Sequence, residues 1–188
     1  MTCGHIHRLI EWREYKNMAV KQILPFGDPI LRKVAKPVEE LNEKTFKLLD
    51  EMAETLYAAD GRAGLAAPQI GILRRVVVMD CGDGLIELIN PEIIERSGEQ
   101  IGMEACLSFP GYYGNVKRAE HVKVKTLNRQ GEEMILEGDG FLAVCMQHEI
   151  DHLDGILFVD HVQEKWLYHE KTRQKVDLLD VIRLTKKA

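Results

Sequence analysis

The sequence predicts an α+β fold, in which a largely antiparallel β-sheet packs around one central helix and a further helix lies at the C-terminus. Two pairs of β-rich runs, each joined by a short turn, predict antiparallel neighbours. The helical patterns do not alternate one-for-one with these strands, as repeated βαβ units would require. The predicted strands occupy residues 75–80, 85–90, 122–127 and 133–136. The predicted helices occupy residues 42–59, 140–153 and 163–184.

Composition indicates one globular domain and gives no support to a strongly charged ligand. The 188 residues are 45% hydrophobic and 29% charged, which is ordinary for a soluble domain that buries a sound core. A formal net charge of −5 gives no support to nucleic acid or an anionic membrane as the main ligand. We therefore expect neither DNA nor a membrane among its partners.

Cysteine usage and the lack of targeting segments predict a cytoplasmic protein. The chain has neither a secretory signal nor an apolar run of transmembrane length. The cysteines form no CxxC pair and no dense framework, so we expect reduced thiols. They are Cys3, Cys81, Cys106 and Cys145.

Residues 1–17 differ in character from the rest of the chain. They are polar, mixed in charge and precede a second methionine, Met18. They form either a short extension that packs on the domain or a mis-called start upstream of Met18. The codons TGG-AGG-GAA, which can encode Trp12, Arg13 and Glu14, would contain a purine-rich ribosome-binding site before Met18. An Arg13 codon beginning with CG would remove that signal. We expect the catalytic domain to span residues 18–188.

The first helical pattern, at residues 42–59, has apolar residues at three- and four-residue spacing and Gly61 just beyond its end. This stripe is best explained by core packing, and it consists of Phe46, Leu49, Met52, Ala53 and Leu56. After the helix, residues 64–71 form a run of small residues around Gln69.

The helix at residues 140–153, with Asp139 as its expected N-cap, is the chemical centre of the sequence. His148 and His152 are four residues apart and therefore lie on the same side of the helix. Two imidazoles so placed can bind one transition-metal ion, and the carboxylate of Glu149 can reach a water on that ion. This HExxH arrangement is typical of metallohydrolases, which need a third protein ligand.

Two cysteines compete for the place of the third ligand. Cys145 precedes His152 by seven residues on the same helix, roughly 10 Å along its axis. Both cannot readily close on one ion at about 2.0–2.3 Å, so Cys145 is expected to be a buried neighbour of the site. Cys106 lies outside any helical stripe, between Glu104 and Ser108. The spacing alone leaves Cys106 or a remote histidine as the third ligand.

Three separated segments together resemble the peptide deformylase family: GLAAPQ at 64–69, EACLS at 104–108 and QHEIDH at 147–152. The resemblance covers residues 18–188. It implies an α+β metalloenzyme that hydrolyses the N-formyl group from the initiating methionine of nascent polypeptides. The implied metal ligands are Cys106, His148 and His152. The ion is usually Fe(II) in the cell, and Zn, Ni or Co can replace it; a thiolate with two imidazoles suits these ions better than Mg or Ca.

The resemblance and the chemistry together assign further roles. A Lewis-acid metal lowers the pKa of bound water, which attacks the formyl carbon. Glu149 acts as the general base and then as the acid that protonates the leaving amine. By resemblance, the side-chain amide of Gln69 and the backbone N–H of Leu107 donate to the oxyanion. Asp151 is expected to form a salt bridge, with Arg118 as its partner, and not to bind the metal.

Substrate and partner contacts are predicted at two places. An apolar slot for the methionine side chain is expected near the HExxH helix. The tail is expected to form an amphipathic C-terminal helix, whose Lys186 and Lys187 could also make a transient contact with ribosomal RNA. The slot-lining residues are expected to be Ala63, Gly64, Phe141, Val144 and Cys145.

Two positions depart from the family pattern. Arg62 stands where the family has glycine, and it is expected to bring a bulky charge near the cleft entrance. Ala105 also replaces a glycine, which is tolerable only if the backbone there has negative φ or no close partner. No proposed ligand, base or oxyanion donor is altered, so an active enzyme is expected.

Two other classes of function are compatible with fewer of these observations. One is an HExxH peptidase or another metal-dependent amidase, with a structural Cys106 and a distant histidine or glutamate as the third ligand. The other is a metal-binding or ribosome-associated module without turnover. Activity on formylated and unformylated peptides separates the first from a deformylase, and loss of both metal and turnover would point to the second.

Overall fold

The computed structural model describes residues 20–185, and within this range two antiparallel sheets enclose one central helix. The α-helices are α1 (Glu43–Tyr57), α2 (Gly140–Leu153) and α3 (Leu178–Thr185). The strands are β1 (Gly64–Ala66), β2 (Val76–Met79), β3 (Ile86–Ser97), β4 (Gln100–Cys106), β5 (Phe109–Arg118), β6 (His121–Leu127), β7 (Glu133–Asp139), β8 (Trp166–His169) and β9 (Lys175–Asp177). The α+β class with largely antiparallel strands is confirmed.

The two sheets have different memberships. The five-stranded sheet has the order β1-β2-β3-β6-β7, and the four-stranded sheet has the order β4-β5-β8-β9. All pairings within these sheets are antiparallel. β1 and β4 are each an edge strand of their own sheet. Each sheet therefore has one unpaired edge in or beside a segment that the sequence links to function, residues 64–69 at β1 and residues 104–108 at β4.

Helix α1 forms where its apolar stripe and its N-cap predict it. The Asn42 side chain accepts hydrogen bonds from the backbone N–H groups of Lys44 and Thr45, at 3.1 and 3.3 Å. Leu49 and Met52 have no exposed surface and pack in a core cluster with strands β1 and β2. The predicted helix at 42–59 is confirmed, and its stripe is core packing.

Helix α2 is the central helix, because nine of its fourteen residues are buried. Its apolar side packs on the five-stranded sheet through a core cluster that includes Met146 and Leu153. Asp139 occupies the N-cap position but makes no capping bond, since its carboxylate is paired with the His121 ring instead. The HExxH segment is thus fixed by core packing.

Residues 104–108 lie at the end of β4 and in its turn to β5. One expectation for the secondary structure is wrong. The tail is not one helix at residues 163–184, because β8 and β9 form a hairpin and, within the described part of the tail, only residues 178–185 are helical. In the hairpin Leu167 pairs with Val176, and Leu167 is fully buried while its neighbour Trp166 is 40% exposed. That period-two alternation outweighs the helical pattern of the tail.

Within residues 20–185, no helix combines the length and apolar character needed to cross a bilayer.

Gly155 ends the central helix in a conformation that a side chain would disturb. Its φ is +71°, and an added Cβ would lie 2.7 Å from the carbonyl oxygen of Arg32. We expect Gly155→Ala to lower the free energy of unfolding by about 1–2 kcal/mol for the left-handed backbone and by about 1–3 kcal/mol more for the overpacking. Urea denaturation measures this change.

Gly61→Ala is the matched control, because Gly61 has a φ of +78° but no atom within 4 Å of the added Cβ. It should show only the backbone cost. Equal losses in the two variants would contradict the clash with Arg32.

Candidate metal centre

Cys106, His148 and His152 converge in the interior between α2 and the end of β4. One ligand atom from each lies within 4.8 Å of the other two. Cys106 Sγ is 3.3 Å from His152 Nε2. All three side chains are buried, with exposures of 8%, 8% and 1%. The third group of the cluster therefore comes from a strand remote in sequence from the HExxH helix.

The residues in this cluster fit a transition-metal ion. Ligands that each lie about 2.0–2.3 Å from one ion are at most about 4.6 Å apart, so small side-chain adjustments suffice. A thiolate and two imidazoles are the donors that Fe, Co, Ni and Zn prefer. His152 Nδ1 is buried without a hydrogen-bond partner among the described residues. A metal bond through this ring would help to offset the cost of burying it.

Cys145 lies outside this cluster, as the helical geometry predicts. Its side chain is buried in the core cluster around α2, against which the partly buried Cys81 also packs. Cys145 is therefore a buried neighbour of the site.

A buried ionic network orients His148. The His148 Nδ1 atom is 2.8 Å from Glu104 Oε2, and Arg118 donates to both oxygens of Glu104 at 2.7 and 3.0 Å. Arg118 also donates to Asp151 at 2.6 Å, which agrees with the expected salt bridge, and Asp151 lies 2.9 Å from His161 Nε2. Burial raises the pKa of Glu104, but its hydrogen bonds with His148 and Arg118 outweigh burial and lower it to about 2. An ionised Glu104 leaves Nε2 of His148 free to bind a metal.

The sequence pattern does not reveal the importance of Glu104. The sequence indicates only a polar neighbour of Cys106, whereas Glu104 is 4% exposed and its carboxylate contacts a metal-site histidine. A polar residue within an alternating run, two positions before Cys106, is the available signal. Strand periodicity places Glu104 and Cys106 on the same side of β4.

Glu149 lies beside the cluster in a pocket that only glycine leaves open. A Cβ added at Gly64 would lie 2.7 Å from Cγ and Cδ of Glu149. The Oε2 atom of Glu149 is buried and has no hydrogen-bond partner among residues 20–185. Burial raises the pKa of Glu149 to about 7. A carboxylate with such a pKa suits proton transfer near neutral pH.

The side-chain amide of Gln69 faces the cluster with its donor end. Its oxygen accepts a hydrogen bond from the backbone N–H of Ala66 at 2.8 Å. Its nitrogen is therefore directed away from that bond, at 3.5 Å from Cys106 Sγ and 3.3 Å from Ser108 Oγ. Gln69 is 1% exposed, so this orientation is fixed by packing. Leu107 comes directly after Cys106, half-buried in the turn from β4 to β5.

The expected slot-lining residues differ in burial, and Gly64 is the one with a shown approach to Glu149. Gly64 touches Glu149, and Ala63 packs against the core cluster that contains Cys145. On α2, Val144 is half-buried and Phe141 is 61% exposed, near the beginning of the helix.

The two departures from the family pattern have local explanations. The Arg62 guanidinium donates to the carbonyl oxygen of Thr55, so its charge is held at the C-terminal end of α1. Ala105 pairs with Tyr113 in the β4–β5 ladder. Within the described residues, the only non-glycine residues with positive φ are Asn90 and Arg173, so the backbone at Ala105 accepts a side chain.

A convergent thiolate and imidazole pair, with a carboxylate and an amide donor beside it on a rigid helix-and-sheet scaffold, defines a metal-dependent hydrolase. Comparison with known proteins gives the family. Residues 20–166 match the family model described as polypeptide deformylase. The chain therefore belongs to the peptide deformylase family, and it removes the N-formyl group from nascent polypeptides.

Individual relatives agree with this assignment. A peptide deformylase of Acetivibrio thermocellus is 61% identical over 145 residues, which are 77% of this chain and 85% of that protein. The crystal structure of peptide deformylase from Thermotoga maritima matches with a TM-score of 0.75 and 44% identity, covering 78% of this chain and 99% of that one. A peptide deformylase from Synechococcus elongatus, in complex with actinonin, matches with a TM-score of 0.74 and 40% identity, covering 80% and 84%.

The two cysteines near the site should respond differently to the same substitution. Cys106→Ser should abolish stoichiometric metal binding and turnover, because a neutral hydroxyl replaces a thiolate that converges with both histidines. Cys145→Ser should keep its metal and lose only about 1–3 kcal/mol of stability from burying a hydroxyl. Metal analysis of the purified variants measures the difference. Metal retained by the first and lost from the second would overturn the ligand assignment.

Proposed function

We propose that this chain deformylates peptides with a single divalent metal ion held by Cys106, His148 and His152, and with Glu149 as the proton-transfer group. The observation that carries the proposal is the convergence of three buried ligand atoms within 4.8 Å, directly beside a buried carboxylate. Fe(II) is the ion expected in the cell, and Zn, Ni or Co can occupy the same donor set. When bound, the ion supplies a Lewis acid that lowers the pKa of water.

Glu149 performs the proton transfers. A carboxylate held near neutral pKa by burial accepts a proton from water and then releases it to the leaving α-amine. Because the helix fixes Glu149 and Gly64 leaves it space, the carboxylate needs no rearrangement between the two steps. One group therefore serves as base and as acid.

Gln69 and Leu107 stabilise the developing oxyanion. The Gln69 amide is already oriented by its bond from Ala66, so its N–H donors need no reorientation when charge develops. The Leu107 backbone N–H, next in the chain to the ligand Cys106, supplies a second donor. Both donors are uncharged, so neither repels a neighbouring cation.

The unpaired edges at β1 and β4 supply the peptide-binding cleft. β1 and β4 are edge strands of different sheets, and they carry Gly64 and Cys106 respectively. An extended peptide can form main-chain hydrogen bonds with such edges, as in β-strand addition. Its first side chain then enters the apolar slot lined by Ala63, Gly64, Phe141 and Val144. This arrangement brings the N-terminal formyl group to the metal cluster.

The substrate indicates where the enzyme works. Nascent chains carry the formyl group in the cytoplasm, so we place the enzyme there. We assign residues 18–188 to one catalytic domain. The tail helix α3 exposes 60% of Leu179 and leads to Lys186 and Lys187, which lie outside the described residues. A transient ribosome contact through this end would bring the enzyme to its substrate. Residues 1–17 and Met18 also lie outside the described residues.

Substitution of Glu149 tests the assignment of the base. Glu149→Gln should keep its metal, because the carboxylate is not a ligand. Its rate of formate release from formyl-Met-Ala-Ser should fall by about 10²–10⁴-fold. Glu137→Gln, at a side chain that is 69% exposed on β7, is the matched control and should behave as wild type. A near-normal rate in Glu149→Gln would remove Glu149 from the mechanism, and equal cleavage of Met-Ala-Ser would argue for a peptidase.

Air exposure tests the identity of the ion. Protein purified under argon should contain iron and lose activity in air, because Fe(II) and the Cys106 thiolate both oxidise. The same protein exchanged to nickel should keep its activity for longer. Iron content and formate release are measured on the same samples over time. An iron-loaded enzyme that is equally durable in air and under argon would contradict the Fe(II) assignment.

A further inference from the structure

His161 is a partly exposed histidine at the outer end of a chain of contacts that leads to the metal cluster. Its Nε2 atom lies 2.9 Å from Asp151 Oδ2, and the same oxygen accepts a hydrogen bond from Arg118 at 2.6 Å. Arg118 holds Glu104 with its two other nitrogens, and Glu104 lies against Nδ1 of His148. A continuous chain of side-chain contacts therefore connects the protein surface with a metal-site histidine.

The chemistry of these groups fixes the direction of each hydrogen bond. The carboxylates of Asp151 and Glu104 are acceptors, so the His161 ring donates from Nε2 and the His148 ring donates from Nδ1. A histidine whose Nδ1–H is bound to a carboxylate keeps its Nε2 atom for the metal, in a fixed orientation. The orientation of His148 therefore depends on how firmly Glu104 is held.

Arg118 transmits the position of one carboxylate to the other. It donates from Nε and Nη2 to Glu104 and from Nη1 to Asp151. Because the guanidinium is planar and rigid, a rotation that follows a moving Asp151 also misaligns the two bonds to Glu104. The carboxylate that orients His148 is therefore sensitive to the position of Asp151.

Asp151 lies on the open side of this network. A cleft of about 500 Å³ is lined in part by Arg118, Asp151 and His161. The Asp151 side chain is 18% exposed, whereas that of Glu104 is 3% exposed. Water in the cleft can compete for the Asp151 carboxylate and draw it away from Arg118. The second donor from His161 opposes this movement.

Backbone contacts hold His161 in place. Its N–H donates to the carbonyl oxygen of Phe158 at 3.0 Å. The next residue, Val162, forms an antiparallel bridge with Val116 of β5, two residues before Arg118. These contacts do not involve the imidazole, and the His161 side chain is 36% exposed. The ring can therefore be replaced while the segment keeps its position.

We propose that His161 is a positioning residue for the metal centre, which holds Asp151 against Arg118 and thereby keeps His148 oriented for metal binding. This role rests on the proposed function, in which His148 is a metal ligand. Outer partners of metal ligands change metal affinity or activity about 10–100-fold. Because His161 acts through intervening side chains, we expect an effect at the lower end, about tenfold in metal affinity.

Two substitutions of His161 separate its hydrogen bond from its packing. His161→Phe keeps an aromatic ring but removes the donor, whereas His161→Gln keeps a side-chain N–H donor. The Kd for Ni(II) is measured on the full chain by competition with a chelator. The visible absorption spectrum of the Co(II)-loaded protein reports the ligand geometry. His161→Phe should raise the Kd about tenfold and shift the Co(II) bands, whereas His161→Gln should stay close to wild type in both measurements.

A double variant tests whether His161 acts through Asp151. Asp151→Ala removes the acceptor of the His161 ring, so His161→Phe should raise the Kd no further in that background. Independent effects that multiply in the double variant would overturn the proposed route.

His121→Phe is the matched control, because His121 is 52% exposed and pairs with Asp139 and Glu120 instead of with the network. It should keep the wild-type nickel affinity and Co(II) spectrum. A wild-type Kd in His161→Phe, or equal losses in His161→Phe and His161→Gln, would overturn the role of the His161 donor and leave the deformylase assignment untouched. Failure of the wild-type protein to bind stoichiometric nickel would instead overturn the metal centre, and this role with it.

Discussion

The buried ionic network of Arg118 and Glu104, through its bonds to Asp151 and His148, connects the two halves of the catalytic centre. Glu104 is on β4, two residues before Cys106, and its carboxylate reaches His148 on α2. The ion pair is buried, with exposures of 7% for Arg118 and 4% for Glu104. Removing one partner from such a pair leaves an uncompensated charge and costs several kcal/mol. The four-stranded sheet and the central helix are therefore held in register by the charges that orient the metal-site histidine.

The division of the ligands between helix α2 and strand β4 explains why the site needs two sheets. The five-stranded sheet supports α2 and supplies Gly64, whereas the four-stranded sheet supplies Cys106. A third ligand on the helix itself would be too far along the helix axis from one of the histidines to bind the same ion. A ligand from a strand approaches from another direction, which leaves one side of the cluster for substrate. The arrangement of β1 and β4 as separate edges results from the same division.

Much of this site can be predicted because its chemistry is local in sequence. The histidine spacing and the adjacent glutamate need only the period of a helix, and the axial distance alone argues against Cys145 as a ligand. The role of Glu104 depends on β4, in which apolar Ile101 and Met103 are exposed while Glu104 is buried, so hydrophobicity does not show which side of the strand faces inward. The tail is harder to predict because its many charges fit a helix surface, whereas the burial of Leu167 against β5 depends on tertiary contacts. Contacts between distant segments, such as Glu104 with His148, leave no pattern in one sequence.

Helix α2 combines the catalytic groups with the centre of the hydrophobic core. His148, Glu149 and His152 alternate along it with core residues such as Met146 and Ile150. Segments that open locally are those with few buried apolar contacts, whereas helix α2 has many. Fraying of α2 would expose the core to water at the same time as it separates the histidines from Cys106. Amide hydrogens of this helix should therefore exchange through global unfolding, so the catalytic centre is among the last parts of the chain to lose its structure.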